Sequence, residues 1–86
     1  MSDFTPGPWV VVGRLTKYVE ARLVGGLIQE VAACGPTMAD EGYGQQQEAN
    51  ARLIAAAPTM HEYIAKRADA GDNEAKQILE SINAGR

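Results

Sequence analysis

Hydrophobic and polar positions divide the chain into a β-patterned first half and a helix-patterned second half. Trp9-Val10-Val11-Val12 places three β-branched residues in a row and predicts a first strand, because branched side chains pack well on a pleated surface. Lys17-Tyr18-Val19-Glu20-Ala21-Arg22-Leu23 alternates polar and apolar and predicts a second, with helix as the competing reading through Glu20, Ala21 and Arg22. Gly25-Gly26 is a hairpin signal, and Leu27 to Cys34 is the expected third strand. Thr5-Pro6-Gly7-Pro8 ahead of them is a rigid, turn-prone lead-in, since each proline fixes its own φ and extends the residue before it. Three strands with short links give an antiparallel meander whose apolar face needs a cover.

Gly35-Pro36 ends the third strand, and Asp40-Glu41-Gly42-Tyr43-Gly44 reads as an acidic surface loop. From Gln45 the spacing becomes helical. Ala49, Leu53, Ala56, Ala57 and Met60 fall at i, i+4, i+7, i+8 intervals, the pattern of one buried stripe, and small alanines allow close approach to a sheet. Pro58 ends or kinks that helix. Thr59-Met60-His61-Glu62 has the spacing of a capping box for a new start, with Met60, Tyr63, Ile64 and Arg67 on one face beyond it. Gly71 is placed to end this helix and Asp72 to cap the next, from Asn73 to Asn83, with Ala75, Ile78, Leu79 and Ile82 as its apolar stripe. The expected class is α+β: a three-stranded antiparallel meander followed by two or three α-helices packed on one face.

Eighty-six residues allow one domain over 1–86, divided into lead-in 1–8, meander 9–34, loop 35–44 and helical part 45–84. A chain this short buries a modest share of its surface, so self-association is a natural way to bury more. A net charge of −3 argues against nonspecific binding to nucleic acid or anionic lipid. The single cysteine cannot form an internal disulfide and suits a reducing cytoplasm. No apolar run reaches the roughly 18 residues of a membrane span, and the prolines at 6 and 8 interrupt the place of a signal peptide.

Thr5-Pro6-Gly7-Pro8-Trp9 and Ala49-Asn50-Ala51-Arg52-Leu53-Ile54-Ala55-Ala56-Ala57-Pro58 together resemble a group of small phage and prophage proteins, accessory products of temperate phages related to the Ead/Ea-type early-region proteins. The family pattern continues after the proline with an acidic residue and paired leucines, where this chain has Thr59-Met60-His61-Glu62-Tyr63. The resemblance implies a phage origin and a non-essential role towards the host, such as countering a bacterial defence. It brings no catalytic residues with it.

The residues themselves offer few chemical groups. His61 has no acid–base partner at helical spacing, Cys34 has no base nearby in sequence, and one of each gives no zinc spacing. No enzyme activity and no cofactor are expected. Trp9 and Tyr18 could stack a nucleobase, although Trp9 reads first as core packed on the alanine-rich helix. Asn50 is a poor helix former inside a run of good ones, which a specific partner would explain: the sheet edge, the Pro6–Pro8 lead-in, or a ligand. Arg14, Arg22 and Arg52 could gather beside it to bind phosphate. Asp40, Glu41 and Tyr43 would form an acidic surface suited to a basic groove on a host protein. Together with what the resemblance implies, two functions are expected: an inhibitor binding a host defence protein, or a homo-oligomer sequestering a nucleotide-type immune signal.

Overall fold

The computed structural model describes residues 4–14, 16–35 and 43–84. Strands β1 (Trp9–Val12), β2 (Lys17–Arg22) and β3 (Ile28–Cys34) form an antiparallel sheet in the order β1-β2-β3. The strand reading of 17–23 thus holds over helix, because alternation gives β2 one face to bury. Val19 and Ala21 on that face are fully buried. The β2–β3 connection is a short 3-10 turn at Val24–Gly26, closed by the Leu23 amide on the Leu27 carbonyl at 2.8 Å. Gly25 and Gly26 take φ of 82° and 81°, where a Cβ would be strained. A bulge leaves Val31 between the pairs Val19–Ala32 and Glu20–Glu30, restoring the alternation of faces beyond it.

Helix α1 (Tyr43–Ala55) packs against all three strands, α2 (Ala57–Asp69) follows it, and α3 (Asn73–Asn83) folds back on α2. The α+β arrangement is the expected one. Helix α1 begins at Tyr43, two residues before the expected Gln45, so Tyr43 and Gly44 belong to helix and not to loop. Its buried face also differs from the expected stripe by about half a turn. Ala49, Leu53 and Ala56 are exposed, Leu53 by 63%, and Met60 in α2 by 41%. The covered positions are Gln47, Ala51 and, less deeply, Ile54 and Ala55. Ala51 is fully buried where the helix lies on the sheet. Gln47 is the buried polar residue among the described ones, and its Nε2 donates to the Cys34 carbonyl at the end of β3.

Between α1 and α2 stands a single residue, Ala56, at φ −82° and ψ −6°. Pro58 has no amide hydrogen for the Ile54 carbonyl, so the ladder breaks there and resumes with the Met60 amide on Ala56 at 3.0 Å. With few contacts between α1 and α2, the pair is a bent rod, not a hairpin. The capping box at Thr59 and Glu62 does not form. Ala56 holds the N-cap position without a side-chain hydrogen bond, and Pro58 occupies the first turn, where its missing donor is harmless.

The α2–α3 turn follows its local chemistry. Gly71 takes φ 101°, and Asp72 caps α3 by accepting from the Ala75 amide at 3.0 Å. That bond, aided by Arg67 at 3.6 Å, holds the Asp72 carboxyl below its ordinary range. A depressed folded-state pKa means a contribution present above the unfolded value, about 3.9, and lost as pH falls through the folded one. Wild type should therefore exceed Asp72→Ala in thermal stability at pH 7, with the gap closing as the pH drops below about 4. Asp72→Asn, which keeps a capping oxygen, should remove most of this pH dependence. A gap constant from pH 7 to about 2.5 would refute the charged cap.

Candidate binding cleft

The prominent concavity lies where the lead-in meets the start of α2. Pro6 and Pro8 fix the lead-in, and the Gly7–Pro8 peptide is cis. Trp9 secures the segment from β1: its Nε1 donates to the Thr5 carbonyl at 3.1 Å, while the Thr5 hydroxyl donates to Gln29 Oε1 at 3.2 Å. Gly7 lies against Pro58, so close that a Cβ there would stand 3.0 Å from Pro58 Cβ. The two segments that carry the resemblance, Thr5–Trp9 and Ala49–Pro58, are thus joined through Gly7 and Pro58.

Around this joint, Phe4, Pro6, Pro58, Thr59, His61 and Glu62 border a cleft of about 670 Å³. A smaller apolar hollow of about 260 Å³ continues from it towards Trp9, Ala57 and Ile82. Phe4 stands between them. Its ring meets His61 edge-on at 4.7 Å and 78°, and Trp9 at 6.4 Å and 82°. Such edge-to-face pairs fix ring orientation beyond what burial alone does. Proline and aromatic walls with a few polar groups at the rim make a surface for an apolar or extended chain segment.

The residues singled out in sequence are dispersed. Trp9 borders the hollow and packs by Ala57 and Pro58, at the end of the alanine-rich run. Arg14 and Tyr18 share a separate cleft of about 570 Å³ with Gly13 and Thr16, at the β1–β2 turn. Arg22, at the other end of β2, pairs with Glu20 at 3.8 Å. Arg52 pairs with Glu48 at 2.8 Å on α1, and this guanidinium holds the Glu48 carboxyl below its ordinary range. Asn50 is exposed and borders a cleft with Ala33, Cys34 and Gly35 at the end of β3. The three arginines do not converge on Asn50. Cys34 and His61 border different clefts. Asp40 and Glu41 lie outside the described residues, and Tyr43 is the first residue of α1.

Sequence reasoning passed over Phe4, Pro6, Pro58 and Thr59 as a site and took His61 only as a surface or half-buried helical residue; it is half-buried in α2. The available signal was the pair of proline-containing segments. A motif at each end of a long separation is explained when the two meet in space.

Among the described residues no helix is long and apolar enough to cross a membrane, and no three His, Cys, Asp or Glu gather as metal ligands. No curated protein and no solved structure matches the chain. A family model described as Salmonella phage P22 protein Y8K6 matches residues 1–84, which include both joined segments and every element of the fold. The chain belongs to the Salmonella phage P22 protein Y8K6 family.

Proposed function

We propose that this phage protein is an accessory product of the early-region Ead/Ea type that acts in the host cytoplasm by binding, as an inhibitor of a host defence protein. Membership of a phage family supports the setting. The observation that carries the mode of action is the cleft at Phe4, Pro58 and His61: rigid rings arranged around a space open to a chain segment. Rigid aromatic anchors lose little entropy on binding and recur at the centres of protein interfaces. The acidic groups Asp40 and Glu41 would add attraction to a basic rim on the partner.

A photoreactive benzoylphenylalanine at Thr59, exposed on the edge of the cleft, should capture one discrete host protein in infected cells. Phe4→Ala should weaken that purified pair about tenfold or more, as for an interface anchor. The same adducts from the exposed control position Gln77 on α3 would overturn the reading.

A second reading, a homo-oligomer holding a nucleotide-type signal, is favoured by one juxtaposition: Arg14 and Tyr18 face one cleft, a cation beside a stacking ring. Native mass spectrometry should then find a nucleotide-sized mass on the oligomer that Arg14→Ala abolishes. An adduct-free protein from infected cells would exclude it.

A further inference from the structure

The described residues form two bodies with separate buried centres. Val19 and Ala21 of β2 are buried with Gln47 and Ala51 of α1 in the first, and Ala68 of α2 and Ala75 of α3 are buried in the second. Helix α1 packs on all three strands and α3 on α2, whereas α1 and α2 make few contacts, and neither α2 nor α3 makes more than slight contact with a strand. Along the chain the bodies are joined through Ala56. Its amide donates to the Arg52 and Leu53 carbonyls at 3.1 and 3.2 Å, and its carbonyl accepts from the Met60 amide at 3.0 Å. Pro58, two residues on, has no amide hydrogen with which to stiffen the junction. A helix pair interrupted at a proline, with little packing across the bend, offers weak resistance to a change of angle.

The lead-in is the second connection. Towards the sheet it is held by Trp9 Nε1, which donates to the Thr5 carbonyl at 3.1 Å, and by the Thr5 hydroxyl, which donates to Gln29 Oε1 of β3 at 3.2 Å. Towards α2 it is held by Gly7 against Pro58 and by the Phe4 ring, edge-on to His61 at 4.7 Å. Phe4 also borders the apolar hollow whose walls come from both bodies, Trp9 from the first and Ala57 and Ile82 from the second. We infer that the lead-in is a strap that sets the angle between the sheet–α1 body and the α2–α3 hairpin, with Ala56 as the hinge. Its two holds on α2, Pro58 beside the pivot and His61 about one turn further on, together oppose a rotation that either alone would allow. The strap is also able to let go: its side-chain bond to Gln29 is exposed, where water competes for both partners. One consequence rests on the binding reading above. The cleft has Phe4 and Pro6 of the strap on one side and Thr59, His61 and Glu62 of α2 on the other, so an occupant bridging them would fix the hinge, and a loosened hinge would weaken the occupant.

Double electron–electron resonance between nitroxides at the exposed positions Glu30→Cys on β3 and Gln77→Cys on α3, in a Cys34→Ser background, reads this angle in the free protein. With the strap intact, the pair should give one narrow distance. Phe4→Ala and Gly7→Val should each shift that distance or at least double the width of its distribution. A pair within the first body, Val24→Cys with Leu53→Cys, should keep its distance in both variants. Should Gly7→Val fail to fold, Phe4→Ala, which adds no bulk, keeps the test open. A broad distribution with the strap intact, a distance between 30 and 77 that neither variant moves, or equal broadening of both label pairs would overturn the inference. None of these readouts involves a partner, so their outcome is independent of the Thr59 crosslink.

Discussion

Val19→Ala should cost about 2 kcal/mol of stability, the loss of two buried methyl groups plus a cavity the sheet cannot close. Val19 is the largest fully buried side chain, and the other buried apolar positions among the described residues are alanines: 21, 51, 68 and 75. The loss therefore falls on a core with no second bulky residue to repack into the space. A chain of this size has a total stability of only a few to about 13 kcal/mol, so the melting temperature should drop on the order of 10 °C. Val24→Ala is the matched control. It deletes the same atoms from a residue 95% exposed and should change stability by less than about 0.5 kcal/mol. Thermal denaturation by circular dichroism measures both. Equal shifts in the two variants would mean that the α1–sheet contact is not the core.

Gly7→Val should separate the lead-in from α2. The new Cβ would lie 3.0 Å from Pro58 Cβ and 3.2 Å from Pro58 Cγ, and the proline ring has no rotamer to turn aside. Overpacking of this kind costs about 1–3 kcal/mol. The local signature is more specific than the stability loss. Trp9 is tied to the lead-in by its indole hydrogen bond to Thr5, and a displaced lead-in should expose the indole and shift its fluorescence to the red. Gly7→Ala, carrying the Cβ alone, should show a smaller shift in the same direction. Native-like Trp9 emission and stability in Gly7→Val would remove the joint on which the cleft is built. If the joint does shape the partner site, Gly7→Val should also abolish the Thr59 crosslink while the sheet remains folded.

Most of the fold is local and so was legible in the residues. Trp9–Val12 and Lys17–Arg22 announce strands by β-branching and alternation, Gly25-Gly26 supplies the positive φ of the connection, and Gly71 and Asp72 end one helix and start another through backbone and side-chain chemistry within a few residues. The phase of α1 was not legible. In an alanine-rich helix, hydrophobicity scarcely distinguishes the faces, so Leu53 drew the expected stripe towards itself. Packing decided otherwise. Close approach of α1 to Val19 and Ala21 selects the small Ala51 and places Gln47 where it can reach the Cys34 carbonyl, leaving Leu53 outside. The capping box failed for a similar reason: Thr59 and Glu62 have the right spacing, but Pro58 has already begun the helix.

By itself, then, the sequence determined the elements, their order and the places where the backbone must turn, because those depend on neighbours a few residues apart. It also held the two segments that carry the phage resemblance, without the reason for their pairing. Only the tertiary structure decided which helix face is buried, that Arg14, Arg22 and Arg52 stand apart, and that Gly7 meets Pro58 beneath Phe4 and His61. Those outcomes depend on contacts between residues far apart in the chain, where the fit of surfaces, not the spacing of residue types, sets the energy.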